Sequence, residues 1–147
     1  MSGPDDGWPI ERPPGLDRTK SWIGNAHPVS RISPVFMGTS IGRETAWERA
    51  YREQFEALQT WNHRFWRRHN RLFEEKRSQF MRERQLKGKP TELSPNALAE
   101  FYRNFLNERK PELYKYHWSW YKRQAFLLWP AFLAQLGKVS RRLRRFR

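Results

Sequence analysis

Apolar side chains recur at helical spacing over most of the chain, and proline and glycine divide this pattern into segments. Between residues 43 and 87 neither proline nor glycine occurs, and Tyr51, Leu58, Phe65 and Leu72 follow one another at intervals of seven. An apolar stripe with this period predicts one long amphipathic helix. A helix of this kind needs a second element to cover its stripe.

The following segments predict two shorter helices that fold back on the long one. Residues 87–90 (Lys-Gly-Lys-Pro) supply the glycine and proline that end a helix, and Ser94 and Pro95 supply an N-cap and a first helical residue. A residue that precedes proline avoids the helical region, so Pro111 predicts a break, and Pro130 predicts a kink or a second break.

The first 42 residues have a different character, because they contain six of the ten prolines and six of the eight glycines. This density predicts an extended, largely irregular arm over residues 1–42, and no segment predicts a strand. We therefore predict an all-α fold in which the arm precedes a single helical domain. That domain covers residues 43–147 and ends in a basic tail over residues 138–147.

The core is expected to consist mainly of rings, because the chain has eight Trp and ten Phe but is only 37% hydrophobic. Three side chains of the long helix are predicted to be largely buried against three others from the later helices. They are Trp61, Phe65 and Leu72 on the long helix and Phe101, Phe105 and Trp120 beyond it.

The net charge of +14 lies entirely outside the arm, because residues 1–42 hold four acidic and four basic side chains. A body with this excess attracts nucleic acid, anionic lipid or acidic protein surfaces, and charge alone does not choose among them. The chain has no cysteine, which excludes disulfides and thiolate metal sites.

Enzymatic or metal chemistry is not predicted. His63 and His69 are six residues apart, whereas helical zinc pairs use a spacing of four, and His27 and His117 stand alone. We expect these histidines to be solvated or locally hydrogen-bonded. Gly-rich phosphate loops and Gly-x-Ser-x-Gly turns are missing from the sequence, so we expect neither catalysis nor a cofactor.

Membrane-surface binding is a candidate role for the C-terminus. The longest apolar stretch, residues 125–136, is shorter than the roughly 20 residues of a membrane span, but a basic amphipathic segment follows it. A solvated basic tail is the alternative. The predicted lipid contacts are Trp129, Phe132, Leu136, Arg141, Arg142, Arg144 and Arg145.

Three aromatic motifs, in order, resemble the cytochrome c oxidase assembly factor eight family. They are the segment from Trp61-Asn62 to Phe73, the segment Phe101-Tyr102-x-x-Phe105-Leu106, and Tyr116 with residues 120–123 (Trp-Tyr-Lys-Arg). The resemblance starts at Trp22-Ile23-Gly24 and extends to about residue 126. Where that family commonly has Pro-Pro-Asp after Trp-Ile-Gly, this chain has Asn-Ala-His at 25–27.

The resemblance implies a non-catalytic mitochondrial protein, on the matrix side and loosely attached to the inner membrane. Such proteins support assembly or maintenance of respiratory complex IV, particularly under oxidative stress, so oxidase subunits or assembly intermediates are the expected partners. Family precursors carry a transit peptide, whereas the first 15 residues here are acidic and rich in proline and glycine. The candidate partner-binding residues are Trp61, Asn62, Trp66, Asn70, Trp120, Tyr121, Lys122 and Arg123.

The alternative function is that of a basic RNA-binding or mitoribosome-associated accessory protein. Arginines interleaved with aromatic residues at 61–76 could neutralise phosphates and stack on bases. The rings share one helix face, however, which is more typical of a packed core. Nucleic acid is therefore the less favoured partner.

Overall fold

The structure, a computed structural model, describes residue 8 and residues 14–39, 44–88 and 94–144, without the side chains at 141, 143 and 144. These residues form two short strands and two long helices. The elements are β1 (Trp22–Ile23), β2 (Val35–Phe36), α1 (Ala46–Leu86) and α2 (Pro95–Arg144). The prediction of an all-α fold is confirmed.

Helix α1 begins and ends at local signals in the sequence. The Glu48 amide donates to Thr45 Oγ1 at 3.2 Å, and the Thr45 amide donates to Glu48 Oε2 at 2.8 Å, which forms a capping box. Past the other end, Gly88 has a positive φ of 67°, and its amide donates to the carbonyl of Gln85 at 3.0 Å. The predicted long helix is confirmed, and its 41 residues span about 62 Å.

Helix α2 continues for 50 residues through Pro111 and Pro130, so the predicted helix pair is one helix and the predicted breaks are wrong. Pro111 is exposed, and so is Asn107, whose carbonyl loses its helical donor, so water can replace the missing amide. Pro130 is buried, and so are Leu127 before it and Ala134 after it. Packing at this point offsets the lost hydrogen bond.

The two helices form an antiparallel hairpin, because residues late in α1 meet residues early in α2. The Phe80 and Phe101 rings lie 5.3 Å apart, the Trp61 and Tyr116 rings lie 5.1 Å apart, and Gly137 lies beside the start of α1. Of the six residues predicted to be largely buried in this contact, Phe101 and Phe105 are buried. The other four are only half-buried, so the prediction is wrong for Trp61, Phe65, Leu72 and Trp120.

The arm folds back on itself instead of remaining extended. Strands β1 and β2 pair antiparallel, with Trp22 opposite Phe36 and Ile23 opposite Val35, so the expectation that the arm lacks strands is wrong. Backbone hydrogen bonds of 2.8 and 2.9 Å continue the pairing toward the turn at residues 28–30. This small hairpin brings polar arm residues to α1.

Candidate functional site

Tyr116 is the centre of a cluster that joins α1 to α2. Only 6% of the residue is exposed, and its ring lies between Trp61 and Phe65, with ring centroids at 5.1 and 4.0 Å. Its hydroxyl accepts a hydrogen bond from Trp66 Nε1 at 2.8 Å and donates one to Asn62 Oδ1. Burial raises the pKa of the Tyr116 phenol, and the hydrogen bond from Trp66 offsets part of this shift.

Helical spacing explains how four residues of α1 reach one tyrosine. Trp61 and Phe65 are four residues apart, as are Asn62 and Trp66, so each pair lies one turn apart on the same face. One pair encloses the ring of Tyr116 and the other pair satisfies its hydroxyl. The cluster therefore fixes the register between the two helices.

His69 extends this cluster toward the loop end of the hairpin. It is 8% exposed, and its ring lies 5.4 Å from each of the Trp66 and Phe105 rings. Burial lowers the pKa of the His69 imidazole, and the positive charge of Arg109 lowers it further. The neutral form is therefore favoured. Of the two alternatives predicted for this histidine, solvated or locally hydrogen-bonded, burial excludes the first.

His63 is the most deeply buried side chain of the described part of α1 and connects that helix to the arm. Its Nδ1 lies 2.8 Å from Ser30 Oγ, and its ring stacks on Trp8 at 4.2 Å and meets His27 edge-on at 4.7 Å. The partner serine is 33 residues away in sequence. The expectation of a solvated or locally bonded His63 is therefore wrong.

His27 is locally bonded, as predicted for an isolated histidine. Its Nδ1 accepts hydrogen bonds from the amides of Val29 and Ser30, both at 3.2 Å, so this nitrogen carries no proton. The turn that it stabilises also presents the Val29 carbonyl to Asn70 Nδ2 at 2.8 Å. Within the described ranges, no group of three or more His, Cys, Asp or Glu side chains could hold a metal ion.

Gln59 binds the second strand of the arm through both of its amide atoms. Its Oε1 accepts from the Val35 amide at 2.7 Å, and its Nε2 donates to the Val35 carbonyl at 2.8 Å. The side chain thus takes the place of a neighbouring strand. Residues 59, 63 and 70 of α1 together hold the arm along one side of the helix.

The eight predicted partner-binding residues fall into two groups. The first group lies on α1, and each of its members makes a ring contact or a hydrogen bond within the chain. These residues are Trp61, Asn62, Trp66 and Asn70. The second group lies on α2, where Trp120 is half-buried and Tyr121, Lys122 and Arg123 are exposed. One contact joins the two groups, because the Arg123 guanidinium lies 4.7 Å from the centre of the Trp61 ring.

The C-terminal residues predicted to contact lipid are exposed where they are described. Trp129, Phe132 and Leu136 expose 63%, 55% and 50% of their surface, and Arg142 is also exposed. The side chains of Arg141 and Arg144, and all of Arg145, lie outside the described residues. In the described part of the chain, neither helix is apolar enough over a sufficient length to span a membrane.

Sequence reasoning missed the polar residues that hold the arm, namely Ser30, Gln59 and the buried His63. The only sequence signal for these residues is that polar side chains share a helix face with aromatic rings. The same pattern is expected if the polar side chains bind an external partner. It also missed that Tyr114 and Trp118, each 65% exposed, line an outward face of α2. Helical spacing, applied to α2 alone, could have found this face.

Comparisons with known proteins confirm the family resemblance. The sequence profile of the family described as cytochrome c oxidase assembly factor 8 matches residues 20–140. A mitochondrial COA8 family protein of Caenorhabditis briggsae is 37% identical over 131 residues, which is 88% of this chain and 92% of the relative. Cytochrome c oxidase assembly factor 8 of Bos taurus is 28% identical over 137 residues, 87% of this chain and 68% of the relative.

The human protein of the same name is 29% identical over 129 residues, which cover 81% of this chain and 59% of that protein. No solved structure matches the chain. The profile match includes the arm hairpin, the Tyr116 cluster and almost all of both helices. The chain belongs to the cytochrome c oxidase assembly factor 8 family.

Proposed function

We propose that this protein is a non-catalytic mitochondrial factor that supports the assembly or maintenance of cytochrome c oxidase and protects it under oxidative stress. The observation that carries the proposal is the family match over residues 20–140. The mammalian relatives are named for assembly of this oxidase, and the nematode relative is named mitochondrial.

The polar groups of the family motifs are occupied within the chain, which supports a binding role over a catalytic one. The hydroxyl of Tyr116, the amide of Asn62 and the indole of Trp66 are hydrogen-bonded to one another. These groups stabilise the helix hairpin and leave exposed rings and basic side chains on the outer face of α2. A self-supporting scaffold with a charged outer face is suited to holding a partner.

We place the protein on the matrix side of the inner membrane, attached peripherally through the end of α2. Exposed Trp129, Phe132 and Leu136 precede a segment with several basic residues and no acidic ones. Each basic side chain near an anionic surface contributes on the order of 1 kcal/mol, and salt screens this attraction. The sum is enough for reversible attachment.

Flotation with liposomes that contain anionic lipid tests this attachment. The full chain is expected to float, a chain ending at Lys138 is expected to float less, and high salt is expected to reduce flotation of the full chain. Equal flotation of both chains would show that the basic end does not hold the protein to lipid.

Lys122 is the most direct candidate for a contact with an acidic partner. It is exposed, and its ammonium lies 5.3 Å from the centre of the exposed Trp118 ring, so reversing its charge disturbs no buried group. Arg123 differs because it lies over Trp61, where a substitution also removes an internal contact. Lys122→Glu is therefore the cleaner variant, with Lys122→Arg as its control.

Native purification of the tagged full chain from mitochondria tests the proposed function. Oxidase subunits are expected to be enriched over an untagged control, to remain enriched with Lys122→Arg and to decline with Lys122→Glu. Background levels of oxidase subunits, together with enrichment of mitoribosomal proteins and RNA, would contradict the proposal. That result would favour the RNA-binding alternative.

A further inference from the structure

Helix α2 carries a second apolar face that points away from α1. We call this face the aromatic seam and define it as Tyr114, Trp118, Tyr121, Ala125 and Leu128. The four large members expose between 62% and 70% of their surface. Their positions alternate by four and three residues, so they lie along one line of the helix for about 21 Å.

The aromatic seam is distinct from the face that forms the core. Tyr116 and Leu127 lie on the opposite side of the helix and are each 6% exposed, and Tyr116 packs between Trp61 and Phe65 of α1. A helix that only packed on α1 would need one apolar face. Trp118 and its neighbours therefore contribute nothing to the hairpin core, and large exposed apolar residues in a row mark a binding surface.

The spacing of the aromatic seam indicates a helical partner. Apolar residues that alternate by three and four positions are the pattern by which one helix packs along another. Tyr and Trp are also the residue types that most often dominate binding energy at protein interfaces.

Charge identifies the chemistry of that partner. Residues 113–147 contain nine Lys or Arg and no acidic residue. The Lys110 ammonium lies 5.9 Å from the centre of the Tyr114 ring, and that of Lys122 lies 5.3 Å from the Trp118 ring. A second copy of this chain would bring like charges together, whereas a helix with acidic flanks would neutralise them.

We propose that the aromatic seam binds an acidic amphipathic helix of a partner protein. Apolar residues of that helix lie on Tyr114, Trp118 and Tyr121, and its Asp or Glu residues pair with Lys110 and Lys122. The proposal rests on the proposed function and names the kind of segment through which the oxidase-side partner is held. A partner helix of about four turns matches the length of the aromatic seam.

The probe for this proposal is a labelled synthetic peptide of about 18 residues, with Leu at alternating intervals of three and four and Glu on both flanks. The control peptide has Lys in place of every Glu. Fluorescence anisotropy with the full chain is expected to show binding of the acidic peptide that weakens as salt rises. The basic peptide is expected to bind at least about tenfold more weakly.

A pair of matched variants locates the peptide. Trp118→Ala is expected to weaken binding of the acidic peptide by about tenfold or more, as for a central interface residue. Phe126→Ala removes a ring that is 76% exposed on the same helix, roughly 80° or more around the axis from every member of the aromatic seam. This control is expected to change binding by less than about twofold, and both variants are expected to melt like the parent chain.

Equal binding of the two peptides, or equal effects of the two variants, would overturn the proposal. It would also be overturned if Trp118→Ala left peptide binding unchanged but lowered flotation on anionic vesicles, because the face would then belong to lipid. Oxidase subunits that co-purify equally well with Trp118→Ala would refute the aromatic seam while leaving the proposed function intact. Peptide binding without any co-purification of oxidase subunits would refute the proposed function alone.

Discussion

Replacing Tyr116 by phenylalanine removes one oxygen atom and leaves the ring in place. The stacks with Trp61 and Phe65 do not depend on that oxygen, so ring packing is retained. Two hydrogen bonds are lost, because Trp66 Nε1 no longer has its acceptor and Asn62 Oδ1 no longer has its donor. The substitution therefore isolates the polar part of the helix–helix contact.

The magnitude follows from the burial of the three residues. Tyr116 is buried, whereas Trp66 and Asn62 are half-buried, so water can replace part of what they lose. Leaving a buried donor or acceptor unsatisfied costs about 1–3 kcal/mol, and we expect a total loss in this same range. For a chain of this size, such a change lowers Tm by about 2–12 °C.

Chemical denaturation followed by circular dichroism measures this free energy of unfolding, with Tyr114→Phe as the matched control. Tyr114 is 65% exposed on the same helix, so loss of its hydroxyl is expected to leave stability unchanged. If Tyr116→Phe is as stable as the parent chain, or if the two variants are equally destabilised, the Tyr116 hydroxyl does not hold α1 to α2.

Three further predictions concern the arm and the buried histidine. Gln59→Leu removes both hydrogen bonds to Val35, so limited proteolysis is expected to cut residues 14–39 faster while the helical circular dichroism signal stays the same. Gly38→Ala places a Cβ 2.2 Å from the carbonyl oxygen of Thr19, so the same proteolysis assay is expected to show a loosened arm, and unchanged protection would contradict this packing. Because burial lowers the pKa of His69 below its ordinary 6.5, the unfolded chain takes up the proton first, and stability is lost as pH falls below about 6.5. His69→Gln is expected to flatten that part of a plot of Tm against pH, and an identical slope in the variant would assign the pH dependence to other groups.

Local signals made the end of α1 and the start of α2 predictable from sequence. Gly88 ends the first long helix, and Ser94 with Pro95 starts the second, because these residue types act through the backbone of their own turn. The Ala97 amide does donate to Ser94 Oγ, at 3.3 Å. Signals of this kind need no knowledge of the rest of the fold.

Prolines inside α2 misled the prediction because packing overrides local preference. Pro111 lies where water can reach the unpaired carbonyl, and Pro130 lies between two other buried residues, Leu127 and Ala134. Each proline lowers the stability of the helix, but this loss of free energy is smaller than the gain from one continuous contact with α1. Neither environment can be inferred from the residues that neighbour the proline in sequence.

The roles of the motif residues depend on partners that are distant in sequence. Tyr116 meets Asn62 across 54 residues, and Ser30 meets His63 across 33. A sequence pattern shows that Asn62 is polar on a face of rings, but it does not show whether the partner is internal or external. The sequence therefore predicts that Asn62 binds a partner, whereas its Oδ1 accepts a hydrogen bond from Tyr116.

We propose above that this chain is a folded, non-catalytic scaffold for cytochrome c oxidase. The most direct test is the amount of assembled oxidase, measured by native gel, in cells that lack their own family member and express this chain. The parent chain and Phe126→Ala, which removes an exposed ring outside the aromatic seam, are expected to restore the oxidase. Tyr116→Ala is expected to restore less, in proportion to its loss of folded protein. Mitochondria that contain the parent chain at normal levels but no more assembled oxidase than the deficient cells would contradict this proposal.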